Sequence, residues 1–103
     1  MIQVTVMYPN QEGVTFDFAY WTATHLPLVA ELLGPALKGA GVERGLAGPI
    51  PGSPAPYVAI ARLQFDSVDA FQAAFGPHAA ALMGDIPKFT NVDPVIQMGE
   101  VLA

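Results

Sequence analysis

Residues 17–33 read Asp-Phe-Ala-Tyr-Trp-Thr-Ala-Thr-His-Leu-Pro-Leu-Val-Ala-Glu-Leu-Leu, and this stretch predicts the first helix of the chain. Asp17 is a suitable N-cap, because its carboxylate can accept hydrogen bonds from the free N–H groups of the first turn. Pro27 lacks a backbone donor, so we expect a kink or an irregular turn around His25 and Leu26. Alternating three- and four-residue spacings predict one inward face, formed by Phe18, Trp21, His25, Leu28 and Leu32.

The sequence on either side of this helix predicts four strands and a second helix. Residues 2–8 alternate apolar and other side chains, which is typical of a strand. Residues 57–65 form the strongest strand pattern, and Asp66-Ser67 caps a helix that Gly76-Pro77 interrupts. We expect residues 84–91 to be irregular. Two shorter strands are predicted at residues 42–46 and 94–102, and Gly45 indicates a bulge or a close backbone approach.

The predicted order β-α-β-β-α-β is that of an α+β, ferredoxin-like domain, with an antiparallel four-stranded sheet and two helices on one face. We expect one domain over residues 1–103. The strands at 57–65 and 94–102 carry apolar residues on both faces, so the face without helices needs a cover. Two sheets packed face to face would provide it, which predicts a homodimer.

Composition narrows the classes of partner. Only 13% of the residues are charged, against roughly 25% in a typical domain, which favours an apolar surface hidden in an oligomer or by a ligand. The net charge is −5 with four Lys and Arg in total, too few for binding nucleic acid or an anionic membrane surface. We find no signal-peptide pattern and no apolar run of about 20 residues. We therefore expect a cytoplasmic protein.

Motifs for common cofactors are absent from the sequence. There is no cysteine, no phosphate-binding glycine loop and no Gly-x-Ser-x-Gly turn. His25 and His78 leave open a metal site or an axial haem ligand, but neither lies in a ligand spacing or an attachment motif. We expect no cofactor.

The sequence resembles the EthD family, named for ethyl tert-butyl ether degradation, within the dimeric α/β barrel superfamily. The resemblance covers nearly the whole chain. It rests on Tyr8-Pro9-Asn10, Phe16-Asp17, His25-Leu26-Pro27-Leu28-Val29, Gly45-Leu46, Ala55-Pro56-Tyr57, Asp85-Ile86-Pro87 and Phe89-Thr90-Asn91. Trp21 stands where we expect a second tyrosine after Tyr20, so a phenol is missing there.

The resemblance implies a ferredoxin-like subunit that dimerises sheet to sheet and a pocket for a small molecule. Similar barrel proteins include cofactor-free monooxygenases, cyclase-like proteins, isomerases and haem proteins, so the reaction is not implied. The ether-degradation system is associated with a separate cytochrome P450 that performs the oxygen chemistry. An accessory, non-catalytic role therefore stands beside the enzymatic one.

Within such a pocket, His25 is the candidate general acid/base, because a neutral imidazole donates with one nitrogen and accepts with the other. Asp85 is the candidate that orients the ring, although a cap for the turn before Pro87 is the alternative. The candidate ligand-binding residues are Trp21, Tyr8, Tyr57 and Phe89. The alternative for His25 is a structural role in the core, as a lone histidine on an apolar helix face often has.

Overall fold

The computed structural model describes all residues from 1 to 103. Its strands are β1 (Ile2–Pro9), β2 (Gly39–Arg44), β3 (Tyr57–Phe65) and β4 (Val95–Glu100). Its helices are α1 (Phe18–Tyr20), α2 (Leu26–Leu33), α3 (Val68–Phe75) and α4 (Ala79–Asp85). Short π and 3₁₀ turns connect or extend them, at Trp21–His25, Gly34–Ala36, Gly76–His78 and Ile86–Lys88.

The four strands form one sheet in the order β2-β3-β1-β4, and every neighbouring pair is antiparallel. Val6 in the central strand β1 pairs with Ala61 on one side and with Ile96 on the other. These three side chains face the helices, and they line a cavity together with residues of the helices. The architecture is the α+β, ferredoxin-like fold predicted from the element order, with helices on one face of the sheet.

The first helix is irregular at the position that Pro27 predicts. Asp17 caps it through a hydrogen bond from the backbone N–H of Tyr20 at 3.0 Å. Pro27 cannot donate to the carbonyl of Ala23 and its ring would crowd that carbonyl in an α-helix. The chain instead makes a π turn over Trp21–His25, in which the N–H of Leu26 donates to the carbonyl of Trp21.

The π turn changes which residues of α2 face inward, and the prediction of Leu28 and Leu32 on the inner face was wrong. Val29 and Leu33 are the buried residues of this helix, while Leu28 and Leu32 are only half-buried beside the same core cluster. A turn closed by i→i−5 bonds holds one residue more than an α-turn, so the inward face moves on by one position.

The second half of the chain departs from the prediction at its ends. Gly84 and Asp85 belong to α4 and the 3₁₀ turn Ile86–Lys88 follows, so residues 84–91 are more regular than predicted. β2 begins earlier than the predicted 42–46 and β4 is shorter than 94–102. Gly45 confirms a close backbone approach, because a Cβ there would collide with the carbonyl of Tyr57 and the side chain of Ala55.

The face of the sheet without helices is apolar in one part and polar in the rest. Met7 pairs with Ile60 and with Val95 across it, which gives one apolar row over three strands. The next rows of the same face are polar: Thr5, Arg62 and Gln97, followed by Gln3 and Gln64. Only the end of this face at the start of β3 is therefore hydrophobic, as the apolar first half of the 57–65 pattern predicts.

Candidate functional site

A cavity of about 300 Å³ lies between the sheet and the helices. Residues of both parts of the hydrophobic core line it, Tyr8 and Trp21 from one part and Val4, Leu33 and Leu82 from the other. Of the 16 residues that line it, 15 are hydrophobic, and the remaining one is His25. Met83 and Ile96, which also line it, are 42% and 45% exposed, so the cavity opens to solvent between α4 and β4.

His25 reaches this cavity because it ends the π turn and is buried to 6% exposure. Its Nδ1 lies 2.8 Å from Oδ2 of Asp85, at the end of α4. No protein group hydrogen-bonds to its Nε2. This atom is not fully buried, so it keeps some accessible surface. The ring is therefore held from one side, while its second nitrogen keeps access to the space that the ring lines.

Asp85 is buried to 6% exposure and its two oxygens have different partners. Oδ2 meets the imidazole of His25, whereas Oδ1 accepts from the hydroxyl of Tyr20 at 2.8 Å and lies 3.5 Å from Nζ of Lys88. Burial by itself raises the pKa of Asp85, but the hydrogen bonds from His25 and Tyr20 and the nearby positive charge outweigh it and leave the pKa lowered. The residue is therefore a carboxylate at neutral pH.

Tyr20 completes this network, and sequence reasoning missed it. Its hydrogen bond to Asp85 raises the pKa of the Tyr20 phenol, with burial and the negative charge acting in the same direction. Tyr20 stacks on Phe89 at 6.2 Å between ring centroids, and the ring of His25 contacts the same Phe89 at 4.6 Å. The tyrosine directly precedes the π turn that His25 ends, and the packing of α4 against this part of the chain brings one carboxylate to both residues.

The predicted binding residues fall into three groups. Tyr8 and Trp21 line the cavity, with ring centroids 6.2 Å apart and nearly perpendicular planes. Phe89 is buried behind His25 and is not part of the cavity wall. Tyr57 lies elsewhere: it begins β3 and lines a shallow depression beside β2 with Arg44 and Ala55. The structure therefore brings Tyr8, Trp21 and Phe89 to His25 and Asp85, but not Tyr57.

The phenol of Tyr8 and the indole of Trp21 are both buried in the core. Burial raises the pKa of the Tyr8 phenol, which keeps it protonated as a donor. Nε1 of Trp21 is fully buried and has no hydrogen-bond partner. The ring of Phe16 lies nearly perpendicular to this indole, with 5.1 Å between the two ring centroids.

No group of three or more His, Asp or Glu side chains is arranged to hold a metal ion.

No helix of the structure has the length and hydrophobicity required to cross a membrane.

Comparison with known proteins places the chain in a family. A crystal structure of an EthD-like protein from Ralstonia eutropha JMP134 is 43% identical, with a TM-score of 0.94 over 99% of this chain and 92% of that one. An EthD family protein from Bacillus halodurans C-125 is 19% identical, with a TM-score of 0.69 over 99% of both chains. A dimeric ferredoxin-like protein of unknown function from Thermobifida fusca YX is 21% identical, with a TM-score of 0.65 over 97% of this chain and 90% of that one.

No curated protein matches this sequence significantly. The sequence model of the EthD domain matches residues 13–93, a range that contains His25, Asp85 and the π turn Trp21–His25. This protein therefore belongs to the EthD family.

Proposed function

We propose that this protein binds a small, mostly apolar molecule with a carbonyl or phenol group, and that His25 acts on it as a general acid/base. The observation that carries the proposal is the orientation of the imidazole. Nδ1 is occupied by the carboxylate of Asp85, and Nε2 is left without a protein partner at the wall of an apolar cavity. This geometry suits a base that is fixed on one side and reactive on the other.

The hydrogen bond to a carboxylate favours the tautomer with the proton on Nδ1, so that Nε2 carries the lone pair. Nε2 can then accept a proton from a phenol oxygen or from the carbon next to a carbonyl. The ligand becomes a phenolate or an enolate and the ring becomes an imidazolium, which the charge of Asp85 stabilises. Return of the proton from Nε2 to another ligand atom completes an isomerisation and restores the neutral ring.

This proton transfer is common to the reactions that we consider. An isomerase-like or cyclase-like protein needs only the enolate and the returned proton. A monooxygenase-like protein needs dioxygen as co-reactant, which oxidises the ligand anion. Each would suit a protein of catabolism or secondary metabolism, and we propose the proton transfer as the shared step.

A non-catalytic binding protein is the second candidate, and the wall of the cavity favours it. Apart from His25 the lining is hydrophobic, which suits holding or shuttling an apolar molecule for a separate oxygenase system. In this case the contact of His25 with Asp85 serves to place one polar group for ligand recognition.

Exchange of carbon-bound hydrogen separates the two candidates. 2-Tetralone has exchangeable hydrogens beside its carbonyl, and their loss in D₂O is measured by proton NMR. In the enzyme, wild type accelerates the exchange and His25→Gln lowers the rate by about 10²-fold or more, whereas binding, followed by the fluorescence of Trp21, persists. His78→Gln is the matched control, since it removes the only other histidine. Binding without accelerated exchange in wild type would establish the binding protein instead.

We also propose a homodimer through the face of the sheet that carries no helices. The row of Ile60, Met7 and Val95 on that face supports it, and the similar protein from Thermobifida fusca is described as dimeric. Sedimentation at micromolar concentrations is expected to show a dimer, and Met7→Lys is expected to dissociate it. Gln72→Lys, an exposed position on α3, is the control with the same added charge. A wild-type monomer at these concentrations would contradict the proposal.

A further inference from the structure

Tyr8 carries a polar group that the proposed proton transfer does not use. Its side chain lines the cavity, and its hydroxyl makes no hydrogen bond within the protein. The hydroxyl is not fully buried and keeps some accessible surface, although the residue as a whole is only 2% exposed. Buried polar groups are nearly always hydrogen-bonded. A ligand in the cavity is therefore the partner that this hydroxyl lacks.

Tyr8 and His25 lie on the same part of the cavity wall. Each contacts the ring of Phe89, with 5.8 Å between the ring centroids for Tyr8 and 4.6 Å for His25. Nε2 of His25 also has no protein partner and keeps accessible surface. Nε1 of Trp21, in contrast, is fully buried and does not reach the cavity. A ligand therefore meets a phenol and an imidazole, and no other side-chain oxygen or nitrogen of the wall.

The phenol and the imidazole differ in what they do with a proton. Because the carboxylate of Asp85 holds the proton of His25 on Nδ1, Nε2 can accept a proton but cannot donate a hydrogen bond. The phenol of Tyr8 donates, and burial raises its pKa, so it keeps its proton at neutral pH. Removal of a proton from the carbon next to a ketone moves negative charge onto the ketone oxygen. A fixed donor at this oxygen stabilises the enolate, especially where water is excluded.

Charge and volume restrict the ligand. No Lys, Arg, Asp or Glu lines the cavity, so a carboxylate or a phosphate would lose its hydration without gaining an ion pair. An apolar cavity of roughly 150 Å³ holds one benzene ring. The cavity here is about 300 Å³, so a molecule of about two fused rings suits it.

We propose that Tyr8 is a second catalytic residue, whose hydroxyl donates a hydrogen bond to the oxygen of an uncharged two-ring ketone while Nε2 of His25 removes the proton from the neighbouring carbon. The electron pair of the broken C–H bond forms a C=C bond, and the electrons of the carbonyl π bond move to the oxygen that Tyr8 binds. His25 becomes an imidazolium and returns a proton to the ligand, while Tyr8 keeps its own. The inference rests on the proposed function and specifies its substrate class.

The variant Tyr8→Phe tests this role, because it removes one oxygen and keeps the ring that contacts Phe16 and Phe89. The hydroxyl has no partner in the protein, so we expect the variant to fold. Tyr57→Phe is the matched control, since Tyr57 begins β3 and does not line the cavity. Exchange of the hydrogens beside the carbonyl of 2-tetralone in D₂O is expected to slow by about 10²-fold in Tyr8→Phe and to stay unchanged in Tyr57→Phe.

The carbonyl signal of the bound ketone gives a second readout, which does not depend on turnover. In 2-tetralone labelled with ¹³C at the carbonyl, a hydrogen bond to the oxygen moves this signal downfield. At saturating concentrations we expect the downfield shift with wild type and Tyr57→Phe, and its loss with Tyr8→Phe. The methyl signals of the cavity wall show in each case that the ketone is bound.

The outcomes separate this inference from the proposed function. If wild type and Tyr8→Phe accelerate the exchange equally, or if they shift the carbonyl signal equally, the role of Tyr8 is overturned and the proposed role of His25 stands. If 2-tetralone binds to wild type without accelerated exchange, or does not bind at all, the catalytic roles of both residues are overturned.

Discussion

Nδ1 of His25 and Oδ2 of Asp85 lie 2.8 Å apart, although 60 positions separate the two residues in the chain. The contact joins the π turn of the first helix to the end of α4, and both residues are buried. A buried carboxylate is costly unless it is paired and hydrogen-bonded, and Asp85 has three partners in His25, Tyr20 and Lys88. The pair thus orients the imidazole and also connects two elements of the fold.

Asp85→Asn is expected to destabilise the protein at pH 7 by about 1–3 kcal/mol, because the donors of His25 and Tyr20 lose a charged acceptor. The lowered pKa of Asp85 sets the pH dependence. The folded protein binds this proton less readily than the unfolded chain, so the contribution is complete above the ordinary carboxylate pKa and is lost as pH falls through the lowered value. Urea unfolding at pH 7 and about pH 3 is expected to show that wild type and variant converge in acid.

Asp66→Asn is the control for this comparison. Asp66 lies 3.9 Å from Lys38 in an exposed ion pair, and such pairs contribute little. We expect its loss to change the free energy of unfolding by less than about 0.5 kcal/mol at either pH. A stability difference between wild type and Asp85→Asn that is the same in acid as at pH 7 would contradict the role of the carboxylate.

Ionisation of Tyr20 gives a second view of the network. The hydrogen bond to Asp85 is the main reason that the pKa of Tyr20 is raised, so Asp85→Asn is expected to lower that pKa toward its ordinary value. The pKa of Tyr8 is raised by burial and is expected to stay raised in the variant. Absorbance at 295 nm between about pH 9 and 12 follows the ionisation of Tyr20, which Tyr20→Phe identifies, whereas the buried Tyr8 is expected to stay protonated over this range. Identical titrations of wild type and Asp85→Asn would contradict the hydrogen bond.

The opening between α4 and β4 predicts where a ligand enters. Ile96 lines the cavity and is 45% exposed, so Ile96→Trp is expected to obstruct the opening and to weaken binding of 2-tetralone by at least about tenfold. Met98→Trp is the matched control, because Met98 has the same exposure, faces the same side of β4 and does not line the cavity. Equal binding by the two variants, followed by the NMR shifts of the cavity-wall methyl groups as 2-tetralone is added, would place the entrance elsewhere.

The fold was predictable because each element has its own signal in the sequence. The bounds of β3 agree with the alternating pattern at 57–65, and Asp17 caps the first helix as its side chain indicates. The hydrophobic period alone could not show that Pro27 is accommodated by a π turn. The inserted residue moved the buried face from Leu28 and Leu32 to Val29 and Leu33.

The site was predictable only in part. The irregular helix and the apolar surroundings of His25 identified the imidazole, and the suggestion that Asp85 orients it agrees with the hydrogen bond. The catalytic roles of both residues stay predictions. Tyr20 was missed because its reach to Asp85 depends on the packing of two helices, and Tyr57 looked equivalent to Tyr8 because a strand pattern does not show which tyrosine faces a cavity.

The most direct test of the central claim is the ¹⁵N NMR spectrum of the histidine side chains during a titration with 2-tetralone. His78→Gln assigns the signals, since the chain has two histidines. We expect the ligand to shift Nε2 of His25 strongly, to shift its Nδ1 weakly and to leave His78 unchanged. If 2-tetralone binds and the Nε2 signal of His25 does not respond, the imidazole is a structural core residue and the account of the site is wrong.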